Sequence, residues 1–122
     1  MAHATHARTY KRFPFDAPLI VGGDSGVCEG TLRNLSMQGC LMVCDRKFPP
    51  GSRVRVSVLL PDQPSALPIE LGQIVWNQGH ECGVEFLQLP QPARMRLNRT
   101  LRVALIKYLN ARHNQESQPP GA

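Results

Sequence analysis

Between residues 19 and 88, glycine, proline and asparagine clusters cut the chain into short apolar runs of strand length, and this constrains the fold more than any other feature. Arg53–Leu60 has the cleanest period. Val54, Val56, Val58 and Leu60 fall on one face and Arg53, Arg55 and Ser57 on the other, the two-residue repeat of a half-buried strand. Before it, Leu19–Val21 (closed by Gly22-Gly23), Val27–Leu35 and Gly39–Cys44 read as strands, with Pro49-Pro50-Gly51 as the following turn. Pro61–Pro68 reads as a loop. Next, Ile69 and Leu71 share one parity and Ile74 and Trp76 the other. The shift at Gly72-Gln73 predicts a bulge or sharp bend, as small closed barrels need. Asn77–His80 reads as a turn, and Cys82, Val84 and Phe86 return on a last strand. The expected fold is therefore mostly β, a six-stranded antiparallel barrel.

After Pro90 and Pro92 the period becomes helical, from about Ala93 to Arg112. Leu97, Leu101, Ala104, Leu105 and Tyr108 form one stripe, expected to cover the barrel. Met95, Val103 and Ile106 form a second apolar set with no evident partner inside the chain. Residues 1–13 are polar and basic, with Arg8, Lys11 and Arg12 meeting no acidic residue before Asp16, and read as a flexible arm. The expected organisation is an arm over 1–13, a barrel plus C-terminal helix over 14–112 and a disordered tail over 113–122.

A chain of 122 residues holds one ordinary domain. Its longest purely apolar run, Cys40–Cys44, is far short of the roughly 20 residues that cross a bilayer. Met1–Ala7 lacks the apolar core of a secretion signal, and the four cysteines, Cys28, Cys40, Cys44 and Cys82, are too sparse for a disulfide scaffold. A cytoplasmic protein with reduced thiols is expected. Cys40-x3-Cys44 differs from zinc-knuckle spacing, and strand packing accounts for these cysteines, so no metal or other cofactor is expected. Gly23-Asp24-Ser25-Gly26 spells a string found around protease nucleophiles, but only an arm and one strand precede it, and a polar turn accounts for it. No phosphate-binding loop, dinucleotide fingerprint or paired carboxylates stand out, so the chain is read as no enzyme.

Two strings carry chemistry. Arg8-x3-Arg12 lies in the arm, and Asn34-x-Ser36-x-x-Gly39 follows the second strand. Each is weak alone, the first as a solvated basic segment and the second as an ordinary turn. Their order decides: arm, two strands, then this turn, inside a barrel pattern. The chain here resembles a PilZ domain, the bacterial cyclic-di-GMP receptor module, from Arg8 to about Tyr108. Pro50-Gly51-Ser52-Arg53-Val54-Arg55-Val56, Trp76 followed by Gly83-Val84-Glu85-Phe86-Leu87, and Leu97-Asn98-Arg99 add to the likeness. Asn34 stands where aspartate is more frequent in the family.

The resemblance implies a six-stranded barrel with a C-terminal α-helix, and cyclic-di-GMP as ligand of Arg8, Arg12, Asn34, Ser36 and Gly39. Those residue types suit a dianion with two guanines. Guanine O6 and N7 are adjacent acceptors that the planar fork of arginine meets bidentately. Asn34 and Ser36 share a parity and are expected to point to one face of an extended strand. Gly39, without a Cβ, is expected to let a flat base approach the backbone. Lys11 is a candidate for steering the anion, and Trp76 either flanks the site or sits in the barrel wall. Ala7, just before the first arginine, does not decide between one ligand and a stacked pair. With no output domain expected on this chain, the signal passes to another protein, or to a second copy meeting the helix at Met95, Val103 and Ile106. Two rivals remain open: a PilZ-like interaction module without ligand, and a nucleic-acid-binding barrel. The net charge of +5 favours the latter, whereas 6% aromatic residues leave few stacking platforms for single strands.

Overall fold

The computed structural model describes residues 13–24, 26–60 and 63–117. Six strands, β1 (Phe13–Gly23), β2 (Gly26–Leu35), β3 (Gly39–Cys44), β4 (Arg53–Val58), β5 (Leu67–Gln78) and β6 (Glu81–Gln88), precede one helix, α1 (Gln91–Ser117). Every neighbouring pair is antiparallel, and the sheet closes in the order β1-β2-β3-β6-β5-β4. Closure leaves no unpaired edge.

The alternation in β4 sets the pattern for the interior. Val54, Val56 and Val58 are buried, as is Leu60 just past the strand end, while Arg53 and Arg55 are exposed. Across the ladders, Val58 meets Leu19 and Val56 meets Val21 and Ile69. Leu32 meets Met42, which meets Cys82, and Cys40 meets Val84, which meets Ile74. These inward rows fill the barrel with one core. Each fully buried Val or Leu contributes about 1.5–3 kcal/mol relative to exposure.

The bulge expected at Gly72-Gln73 is present. Buried Leu67 and Ile69 give way to buried Gly72 and Ile74, and the register against both β4 and β6 shifts there. Several boundaries differ from the sequence reading. β5 starts at Leu67, and its turn to β6 is only Gly79-His80, because Asn77 and Gln78 stay in the ladder opposite Cys82 and Glu81. β1 begins at Phe13 rather than Leu19, so Pro14 and Pro18 lie within a strand. A proline supplies no ladder N–H but keeps its carbonyl, and that of Pro18 accepts from the Leu59 N–H at 2.9 Å. Pro14 stands opposite Asn34 at the strand's start, just before an irregularity between Pro14 and Ala17.

None of the four cysteines forms a disulfide, and Cys40, Cys44 and Cys82 are buried as packing groups. Burial, reinforced by the neighbouring Cys28 and Cys82 thiols, pushes the Cys44 thiol up to about 12, so it stays neutral. Among the described residues, no group of three or more His, Cys, Asp or Glu side chains could hold a metal ion.

Helix α1 runs from Gln91 to Ser117, five residues beyond the expected end. The Pro90 carbonyl accepts from the Arg94 N–H, and Pro92 falls in the first turn, where its missing N–H does no harm. Ala93, Leu97 and Leu101 are buried and close one end of the barrel. Arg96 ties the helix to the β4–β5 connection, donating to the Ser65 carbonyl at 2.6 Å, the Ala66 carbonyl at 3.0 Å and Gln63 Oε1 at 2.6 Å. Gln63 in turn donates to Thr100 Oγ1. The stripe covers the barrel only in its first half. Leu105 and Tyr108, expected to lie against the barrel, are 36% and 39% exposed. The reason is length: a helix of 27 residues spans about 40 Å, more than a small barrel's end can cover. No helix among the described residues is long and apolar enough to cross a membrane.

Candidate ligand-binding site

The turn between β2 and β3 is built by Ser36. Its backbone N–H donates to the Gly39 carbonyl at 2.9 Å, and its hydroxyl donates to the same carbonyl. Ser36 Oγ also accepts from the N–H groups of Gln38 and Gly39, each at 3.2 Å. Serine suits this closure because its short hydroxyl reaches backbone groups two and three residues on. Ser36 is therefore fully buried. The expectation that Asn34 and Ser36 share an outward face assumed an extended strand through both. β2 ends at Leu35, and Ser36 turns inward.

Asn34 is half-buried, and its Oδ1 accepts from the Leu41 N–H at 3.1 Å, pinning β2 to β3 beside a bulge. The space that Gly39 leaves empty does not face solvent. Gly39 is buried opposite Glu85, and a Cβ there would collide with the Val84 carbonyl oxygen and stand 3.2 Å from its carbon. Gly39 thus permits β3 and β6 to approach, which replaces its expected role as an open floor for a base.

One transverse row spans five strands: Pro14 stands opposite Asn34, Asn34 opposite Leu41, Leu41 opposite Gly83, and Gly83 opposite Trp76. Strand spacing puts Trp76 about 14 Å from Asn34 along it. A Cβ on Gly83 would lie 2.6 Å from Trp76 Cε2 and 2.7 Å from Cδ1, so the indole lies directly over the glycine. Trp76 is 40% exposed and belongs to the outer surface. The ring thus lies on the outer wall, in one row with Asn34. Leu41 and Gly83 carry no polar side chain, and only the register reveals their place between Asn34 and Trp76. We predict that Gly83→Ala displaces the indole and red-shifts the emission of this single tryptophan, with a folded barrel retained. Unchanged emission would show that the ring does not depend on the glycine.

Arg8, Lys11 and Arg12 lie outside the described residues. The described chain begins beside the turn: Phe13 stands opposite Leu35 and Pro14 opposite Asn34. Sequence reasoning passed over one further cation. Arg33, next to Asn34, points outward and donates to Asp16 Oδ1 at 3.2 Å. The signal for its position was in the sequence, since Leu32 and Leu35 are both buried at opposite parity, which requires a bulge between them.

A family model for the PilZ domain matches residues 6–102. No curated protein matches the chain. Among solved structures, the Bacillus subtilis inhibitor of motility MotI/DgrA is similar, with a TM-score of 0.67 at 18% identity over 86% of this chain and 53% of that one. The chain thus spans about half the length of MotI/DgrA. YcgR from Escherichia coli, solved in complex with c-di-GMP, gives a TM-score of 0.72 at 14% identity over 89% of this chain and 50% of that one. The PilZ domain of CeSA from a cellulose-synthesizing bacterium gives 0.59 at 17% identity over 74% and 93%. At such identities these likenesses establish the fold.

Proposed function

The chain belongs to the PilZ domain family, and from that membership we propose that it is a receptor for cyclic-di-GMP that acts by binding rather than catalysis. The observation that carries the reading is a coincidence of place. The Asn34–Gly39 turn, the outward row from Pro14 to Trp76 and the start of β1, to which Arg12 is directly bonded, meet at one end of one surface. The structure of YcgR with c-di-GMP supports the ligand class by likeness of fold.

In this reading Arg8 and Arg12 supply guanidinium forks for guanine edges and phosphate oxygens, with Lys11 adding charge without geometry. Asn34 offers an amide at the ledge. Ser36 and Gly39 act by shaping the turn. Trp76 offers the face of its indole, on which base stacking contributes about 1–3 kcal/mol. Ordering the arm opposes these gains by about 1–2 kcal/mol per residue fixed, so binding depends on several contacts made at once. The closed arm then presents a different surface to a partner.

An exposed apolar face of α1 suits that output. Met95, Val103, Ile106 and Leu109 are all exposed, and the helix carries no carboxylate before Glu116. A downstream protein, or a second copy of the chain, is proposed to meet this face. The buried, unbridged thiols accord with a reducing compartment, and we propose the cytoplasm. A calorimetric titration with cyclic-di-GMP tests the reading: saturable binding with a weak salt dependence is expected. No heat at saturating ligand would overturn it, and steeply salt-dependent binding of single-stranded polynucleotide instead would favour the nucleic-acid barrel.

A further inference from the structure

β1 and β2 are both irregular at the level of the site. On β2, Leu32 stands opposite Met42 and Asn34 opposite Leu41, so two steps on β2 face one on β3. On β1, Pro14 stands opposite Asn34 and Ala17 opposite Leu32, so three steps on β1 face two on β2. A bulge re-aims side chains that strict alternation would send to opposite faces. Here it leaves Arg33 exposed beside half-buried Asn34, while Leu32 and Leu35 both stay inside. On the neighbouring strand Asp16 is exposed, two residues from Pro14. The guanidinium and the carboxylate meet through one hydrogen bond of 3.2 Å, with side chains 55% and 79% exposed.

Resting on the receptor reading above, we propose that Arg33 is an additional phosphate ligand for cyclic-di-GMP, and that Asp16 holds it in the unliganded protein and so sets affinity downward. Place comes first. Asn34 stands opposite Pro14, and the Arg33–Asp16 pair flanks that pairing near the start of β1. Energetics comes second. An exposed ion pair with a single contact contributes little, so the guanidinium changes partner at small cost. A phosphodiester offers two acceptor oxygens to the planar fork, where Asp16 receives one bond. Exchange therefore gains hydrogen bonds while conserving charge pairing. Chemistry comes third. A dianion approaching Arg33 also approaches the Asp16 carboxylate, and like charges side by side disfavour the complex. Asp16 opposes binding twice, by occupying Arg33 and by repelling the ligand.

The two side chains must then act in opposite directions, which a merely structural ion pair does not do. In calorimetric titrations of the whole chain with cyclic-di-GMP, Arg33→Gln is expected to weaken binding by roughly 10- to 150-fold, in the range of a charge-assisted hydrogen bond. Asp16→Asn is expected to tighten it by about 2- to 5-fold, in the range of one exposed ion pair released. In the Arg33→Gln background, Asp16→Asn should gain less than it does alone, because there is no guanidinium left to release. Melting temperatures should stay near wild type in all three variants. Weaker binding by Asp16→Asn, or wild-type affinity in both single variants, overturns this inference and leaves the receptor reading standing. Absence of any binding by the wild-type chain overturns both.

Discussion

Alanine at Arg12 is expected to weaken cyclic-di-GMP binding by about 5- to 150-fold, the range for one bidentate guanidinium contact of about 1–3 kcal/mol. Alanine at Arg8 should act similarly, and the double variant should fall below calorimetric detection. The barrel should melt as before, because the core among the described residues is apolar and is built from β1 through α1. Lysine is the informative control. Arg12→Lys keeps the charge and loses the planar fork, so it should recover only a small part of the loss. Were charge alone responsible, lysine would restore binding and added salt would abolish it. Wild-type affinity in both alanine variants would falsify the role of the arm.

The arm and the turn were legible as text because both are short strings with fixed spacing. How they come together was not, because that depends on where β1 begins. Pro14 and Pro18 hid its first half, since proline in a reading of propensities argues against a strand. The ladder tolerates them: Pro18 still presents its carbonyl to Leu59, and Pro14 lies at the strand's start. The parity shift at Gly72 was readable because four apolar residues marked it. The equivalent shift between Leu32 and Leu35 rests on two residues only, and with it went the outward position of Arg33.

The helix shows the converse limit. Its period identifies Leu97 and Leu101 as a barrel-facing stripe, and the same period continues through Ala104, which still packs against the core, to Leu105 and Tyr108, which are exposed. Periodicity states which residues share a side and is silent on where the underlying surface stops. That boundary is set by the β4–β5 connection, where Arg96 and Thr100 fasten the helix to Gln63, Ser65 and Ala66. Beyond Leu101 exposed apolar side chains continue, the surface that the proposed function offers to a partner.

Gly39→Leu is expected to lower stability by about 3 kcal/mol or more, the upper range for overpacking a filled interior. For a domain near 100 residues that corresponds to a fall of roughly 12–24 °C in melting temperature. From sequence alone this substitution weakens binding by blocking the approach of a base. The geometry gives a different cause. The new side chain would enter the wall between β3 and β6, against the Val84 carbonyl and 3.3 Å from Glu85 Cα, both backbone groups held by the ladder. Neither can move without opening the hydrogen bond from the Phe86 N–H to the Gln38 carbonyl, and with it the turn that Ser36 closes. Loss of ligand affinity should then follow loss of structure. Thermal unfolding monitored by circular dichroism, run beside the titration, separates the two causes. A Gly39→Leu chain that melts with the wild type yet fails to bind would return Gly39 to the ligand surface. One that melts early, and regains binding on cooling well below its midpoint, would place it in the wall.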